Sequence, residues 1–148
     1  MNYRISKLRE YLFEIIDTLT KTNKSKINVN MLSKDINNYS LDKIPTSKDL
    51  ENWICGGGIR RDVYSFRSRK PYSQDTINNL KNIGFFEEFE NIIKTNNEEG
   101  ILPNIPGIES IECLNPGTLN NATTNDAEFD IQIQITYHGD DRNEIASL

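Results

Sequence analysis

Histidine occurs once in this chain and cysteine twice, and that scarcity removes most catalytic arrangements at the outset. A Ser-His-Asp or Cys-His arrangement needs an available base. The single candidate, His138, stands at the exit of the last predicted strand, where an exposed surface histidine is expected. Cys55 and Cys113 lie 58 positions apart with no second cysteine near either, so neither a disulfide framework nor a zinc pattern can be written. Both fall on strand-like positions and read as small buried hydrophobes. No apolar run approaches the ~20 residues of a membrane span, and the N-terminus reads as a charged amphipathic helix rather than a signal peptide. Gly56-Gly57-Gly58 lacks the spacing and the Lys-Ser/Thr of a phosphate-binding loop and reads as a tight hairpin or bulge. The expectation is a protein with no enzymatic activity, no required metal and no organic cofactor.

What is present describes an ordinary globular domain: 148 residues, 36% hydrophobic, 26% charged, net charge −5. Asn occurs 19 times and Ile 20 times against three Ala, a bias that points to A+T-rich codons. Charge is unevenly spread. Residues 1–72 hold 14 Lys/Arg against 8 Asp/Glu (+6) and residues 73–148 hold 3 against 14 (−11), which sum to −5. If the halves present separate surfaces, a basic patch on one copy can meet an acidic patch on the next. If the fold interleaves them, the dipole disappears.

Periodicity places the elements. Ile5, Leu8, Leu12, Ile15, Ile16 and Leu19 form one stripe of a surface helix over 3–20, with Arg4, Lys7, Arg9, Glu10, Glu14 and Asp17 off it or at its margin. Short strands are predicted over 27–31 and 39–44. In the 59–69 stretch Tyr64 and Phe66 define an inward face, and Pro71 ends the ladder. Ser73 is the predicted N-cap of a helix over 74–96, with Tyr72 and Ile77 as a hydrophobic staple. That helix is predicted to bury Ile77, Leu80, Ile83, Phe86, Phe89 and Ile93, with a kink or break at Gly84 and a stop at Gly100. Ile111 and Cys113 define the inner face of the next strand, and the Asn- and Thr-rich tip 119–127 is predicted as loop. The clearest strand follows, with Phe129, Ile131, Ile133, Ile135 and Tyr137 alternating with Asp130, Gln132, Gln134 and Thr136. These elements predict one α+β domain over 1–138, a largely antiparallel sheet backed by two main helices, followed by a flexible polar tail over 139–148.

Arg61, Arg67 and Arg69 project from the strand face opposite Tyr64 and Phe66, with Arg60 and Lys70 near its ends. Such a stripe can hold phosphates or form a subunit interface. The aromatics face away from the arginines and the chain is acidic, so the interface reading is preferred, with Glu87, Glu88 and Glu90 of the central helix as candidate partners on a neighbouring copy.

Three stretches carry a family resemblance: Trp53-x-x-Gly56-Gly57, then Val63-Tyr64-Ser65-Phe66-Arg67-Ser68-Arg69-x-x-Tyr72-Ser73, then Asn79-Leu80-x-x-Ile83-Gly84-Phe85-Phe86-Glu87-Glu88-Phe89. Gly100-x-Leu102-Pro103 and Ile111-Glu112-x-Leu114-x-x-Gly117 continue it. The pattern, over about residues 26–138, resembles the tail terminator or minor capsid (head–tail joining) proteins of long-tailed bacteriophages and prophages of low-GC Gram-positive bacteria. The resemblance implies a lambda-terminator-like fold and a six-fold homo-oligomeric ring, a hexamer, that caps the tail-tube protein and meets the head–tail connector. It further implies a place in the virion tail or neck after assembly in the host cytoplasm, no membrane partner, and no specific nucleic-acid binding, with genomic DNA passing through the ring. The alternatives are another connector or tail completion protein of the same virion and, from a different class, a small basic-patch nucleic-acid-binding protein of a mobile element. The tail 139–148 has no place in the family pattern.

Overall fold

The computed structural model describes residues 3–20, 26–29, 38–46, 49–52, 57–71, 76–115, 117–122 and 126–139. Its elements in chain order are α1 (Arg4–Thr20), β1 (Lys26–Val29), β2 (Asn38–Ile44), β3 (Asp49–Asn52), β4 (Gly58–Pro71), α2 (Thr76–Glu99), β5 (Ile108–Cys113), β6 (Thr118–Ala122) and β7 (Asp126–Gly139). The order is that of an α+β domain. One sheet runs β1-β2-β4-β7-β5, with β3 added beside β4 and β6 beside β7. Every pairing is antiparallel except β1 with β2.

The sheet is built around β4 and β7, which pair over their whole length from Gly58 opposite Gly139 to Pro71 opposite Asp126. Alternation dictates the faces. Tyr64 and Phe66 of β4, Ile131, Ile133, Ile135 and Tyr137 of β7, Tyr39 and Leu41 of β2 and Ile111 of β5 all point to one side and are buried there. Against them pack Leu8, Leu12, Ile15 and Ile16 of α1 and Phe89 and Ile93 of α2, in one continuous core. Rings stack through it: Phe66 lies 5.4 Å from Tyr39 and 5.3 Å from Phe89. Because β4 comes from the basic half and β7 from the acidic half, their pairing interleaves the two halves at the centre of the fold.

α2 is one helix through Gly84, not two segments. Its buried stripe is Asn82, Phe86, Phe89 and Ile93, while Ile83 is 53% exposed, contrary to the predicted stripe. At about 100° per residue, steps of three lag by about 60° each. The predicted run 77–80–83–86 therefore drifts across the helix, whereas 82–86–89–93 stays on one face. The stop at Gly100 is as predicted: its φ is +76°, the Ile101 N–H donates to the Asn96 carbonyl at 2.8 Å and the Gly100 N–H to that of Asn97 at 3.4 Å, a Schellman closure.

The predicted loop 119–127 is instead largely paired. β6 and the start of β7 form a ladder with a register shift between Leu119 and Asn121. Asn-rich composition signals turns, but a long partner strand supplied pairing that composition alone does not report. β3 is a further strand without a period-2 signal in its four residues, hydrogen-bonded to the start of β4. Gly57 and Gly58 in that hairpin have φ of +73° and +159°. Ser73, Tyr72, Trp53, Cys55, Asn30, Met31 and the tail from residue 140 lie outside the described residues, as do the side chains of Ile77 and Leu80.

Candidate functional site

The two faces of β4 carry different polar chemistry. On the face away from the helices stand Arg61, Val63, Ser65, Arg67 and Arg69, as the alternation predicts. β2 contributes Ser40 and Asp42 to that face, and β7 contributes Glu128, Asp130, Gln132 and Gln134. Register sets Arg67 opposite Ser40 on one side and Asp130 on the other. Its guanidinium lies 2.5 Å from the Asp42 carboxylate and 3.4 Å from that of Glu128, and it donates to Ser40 Oγ at 3.4 Å. Ser65 donates to Asp130, and Gln134 to Glu112 of β5 at 3.1 Å. Arg60, on the other face near the sheet end, pairs with Asp49 of β3 at 3.1 Å and lies across Gly139, where a Cβ would stand 2.6 Å from its side chain. Arg61 and Arg69 are half-buried.

The predicted acidic partners are dispersed on α2. Glu87 and Glu88 are exposed, and Glu90 is half-buried and accepts from the Gly117 N–H at 3.2 Å. The arginines and these glutamates are not brought together within one chain; the arginines' described partners come from β2, β3 and β7 instead.

The helix-side face holds a cluster that the sequence reading missed. Asp62, 1% exposed, receives Arg4 Nε of α1 at 2.6 Å, the Tyr64 hydroxyl at 3.2 Å and the Tyr137 hydroxyl at 3.4 Å, with Lys43 at 3.8 Å. The Arg4 guanidinium also lies 4.6 Å from the centre of the Tyr137 ring. Burial opposes the charge on Arg4, but the hydrogen bond and charge of Asp62 outweigh it and raise its pKa. Burial and then the adjacent Asp62 charge push the Tyr64 and Tyr137 hydroxyls upward, so both remain protonated donors. A signal for this cluster was available: Asp62 has the same parity as Tyr64 and Phe66, and a carboxylate turned into a core demands a cation.

Lys70 shares that parity. It is buried, donates to the Tyr39 hydroxyl at 2.5 Å and sits 3.6 Å from the centre of the Phe85 ring. Desolvation lowers its pKa to about 7. Burial pushes the Cys113 thiol up to about 12, the state of an inert packed cysteine. His138 is partly exposed and pairs with Glu109 of β5. Among the described residues no group of three or more His, Cys, Asp or Glu is arranged to hold a metal ion, and no helix is long and apolar enough to cross a membrane.

The grooves flanking the helices are shallow surfaces rather than enclosed cavities. One, of about 430 Å³, lies between α2 and β5 over Ile93, Ile111 and Cys113; another, of about 400 Å³, lies between α1 and α2 beside Tyr11, Ile92 and Ile101. The first places Cys113 beside Glu90 and Glu112, and burial together with those two charges keeps the thiol protonated. No family model matches the chain, and no curated protein matches it.

Proposed function

We propose that this chain is a structural assembly subunit, a tail terminator of a long-tailed bacteriophage or prophage, which forms a closed ring at the end of the tail tube and joins it to the head connector. The observation that carries the reading is the resemblance pattern together with where its residues fall. Val63–Arg69 lies within β4, Phe85–Phe89 within α2, Gly100 to Pro103 at its exit, and Ile111 to Gly117 on β5 and the turn beyond. The pattern thus follows the framework of the fold and not a reactive cleft, which suits a protein whose work is to present surfaces.

The nucleic-acid alternative draws no support from the arginines. A phosphate-binding stripe needs uncompensated cations, and Arg67 is already held by Asp42 and Glu128, Arg60 by Asp49. In this reading the ring is homo-oligomeric, its neighbours are the tail-tube protein and a connector protein, and it takes no cofactor. Electron microscopy of tails made without this chain tests it. Tubes of uncontrolled length or heads that fail to join are expected, and normal tails would end the proposal.

A further inference from the structure

The negative charge of this chain is concentrated in one continuous stretch. Residues 82–115, whose side chains are all described, hold seven Glu against one Lys and no other charge (−6), so with a total of −5 the rest of the chain carries +1. On the sheet, carboxylates are held by cations of the same chain: Asp42 and Glu128 by Arg67, Asp49 by Arg60, Asp62 by Arg4. Along α2 the pattern differs. Glu87, Glu88, Glu98 and Glu99 are exposed and make no ion pair among the described residues. Glu98 and Glu99 also stand in the last turn of the helix, which has no basic residue, so they add negative charge where the helix end already places it. A local rule broken without a gain inside the fold marks a surface that works with something else.

Three of these glutamates converge on the groove of about 430 Å³ between α2 and β5. Glu90 and Glu98 line it from the helix, about one turn on either side of Lys94, and Glu112 lines it from the strand. Ile93, Ile111 and Cys113 form the floor. The field there is negative: after burial, the charges of Glu90 and Glu112 hold the Cys113 thiol up. Lys94, Glu98 and Glu112 are exposed and Glu90 is half-buried, so the walls are reached from solvent. The strand edge is closed at its centre, because Asn97 Oδ1 accepts the Ile111 N–H at 2.9 Å. An occupant therefore enters with side chains and not as an added strand.

We propose that the α2–β5 groove is the docking site for an arginine- or lysine-bearing segment of another protein, independently of whether this chain caps a tail tube. The long stem of such a side chain lies along Ile93, Ile111 and Cys113 while its cationic head meets Glu90, Glu98 and Glu112. The nearby end of α2 attracts the same charge. The volume falls within the range of ligand-enclosing clefts, about 300–1,000 Å³. A second copy of this chain fits the groove less well, because its described arginines are already engaged: Arg4, Arg60 and Arg67 by carboxylates, Arg9 by the Ile27 carbonyl, and Arg61 and Arg69 by further partners.

Titration of the full chain with a fluorescein-labelled octapeptide of alternating arginine and serine tests this, read by anisotropy at low salt and by backbone amide chemical shifts. Saturable binding is expected, with shifts confined to residues 90–98 and 111–113. Glu90→Gln with Glu98→Gln should weaken binding by about tenfold or more. The melting temperature should hold, since a glutamine at position 90 can still accept from the Gly117 N–H. Glu10→Gln with Glu14→Gln on α1 removes the same charge far from the groove and should change binding by less than about twofold. Equal loss in the two pairs would show attraction to net charge alone and overturn the proposal, as would shifts scattered over the surface or no binding at all. Self-association of the chain alone that disappears with Glu90→Gln and Glu98→Gln would put a second copy in the groove and overturn it too.

Discussion

Two arginine–carboxylate clusters lie back to back on β4. Arg4 and Asp62, on the helix-bearing face, are nearly sealed from solvent, whereas Arg67 with Asp42 and Glu128, on the other face, stays about a quarter exposed on each partner. The same functional groups therefore do different work. A buried pair gains little over an apolar replacement, yet losing one member strands the other's charge in the core. The exposed cluster costs little to form and little to remove. The inner pair ties the first turn of α1 to the central strand, with Tyr64 and Tyr137 as further donors.

The most direct way to break this comparison is Asp62→Ala, which leaves Arg4 unpaired in the core; a loss of about 3–5 kcal/mol in denaturant unfolding is expected. Mutating both Arg4 and Asp62 to methionine and leucine should restore much of it. A double substitution as damaging as Asp62→Ala alone would show that packing and not the stranded charge dominates.

Lys70 is the intermediate case, a buried cation facing Tyr39 of β2 and Phe85 of α2. Its folded pKa of about 7 lies below the unfolded value of 10.5. Between those two pH values the unfolded chain binds more protons, so stability rises with pH there, and the full penalty is present at pH 7 and below. Lys70→Met is expected to raise stability by on the order of 3 kcal/mol near pH 6, with the gain shrinking toward pH 10. A gain independent of pH, measured by thermal melts, would contradict the depressed pKa.

Gly117 is a smaller test on the helix side. An added Cβ would stand 2.6 Å from Phe86 Cγ, inside the small cluster of Phe86, Ala127 and Phe129. Gly117→Ala should cost about 1–3 kcal/mol as Phe86 is displaced. The smallest effect belongs to the outer face, where Arg67→Ala is expected to cost about 1 kcal/mol or less and to become indistinguishable in high salt. Neutralising Arg67 and Arg69 together should leave duplex DNA affinity negligible throughout; steeply salt-dependent binding lost on substitution would favour the nucleic-acid alternative.

Strict patterns were legible from sequence and relaxed ones were not. β7 alternates without a break from Phe129 to Tyr137, and α1 keeps one stripe, so both were readable, as was the antiparallel α+β architecture. α2 offered apolar residues on several faces, and choosing between Ile83 and Asn82 required knowing that its stripe continues to Phe86 in a step of four. β6 was invisible because its pairing is decided by β7 and not by its own composition. For the site, the arginine face was legible from parity, but the identity of the partners was not: Asp42, Asp49 and Glu128 come from three strands brought alongside β4 only by the fold. Arg4 lay at the edge of a polar helix face, and nothing local marked it as the counterion of a residue 58 positions away.

The measurement closest to the central claim is the native mass of the species present when this chain is mixed with tail-tube protein, the partner proposed for it. The account predicts one closed ring of fixed copy number, six by the family resemblance, seated at the tube end. A chain that stays monomeric beside the tube, or adds to it without limit, would contradict it.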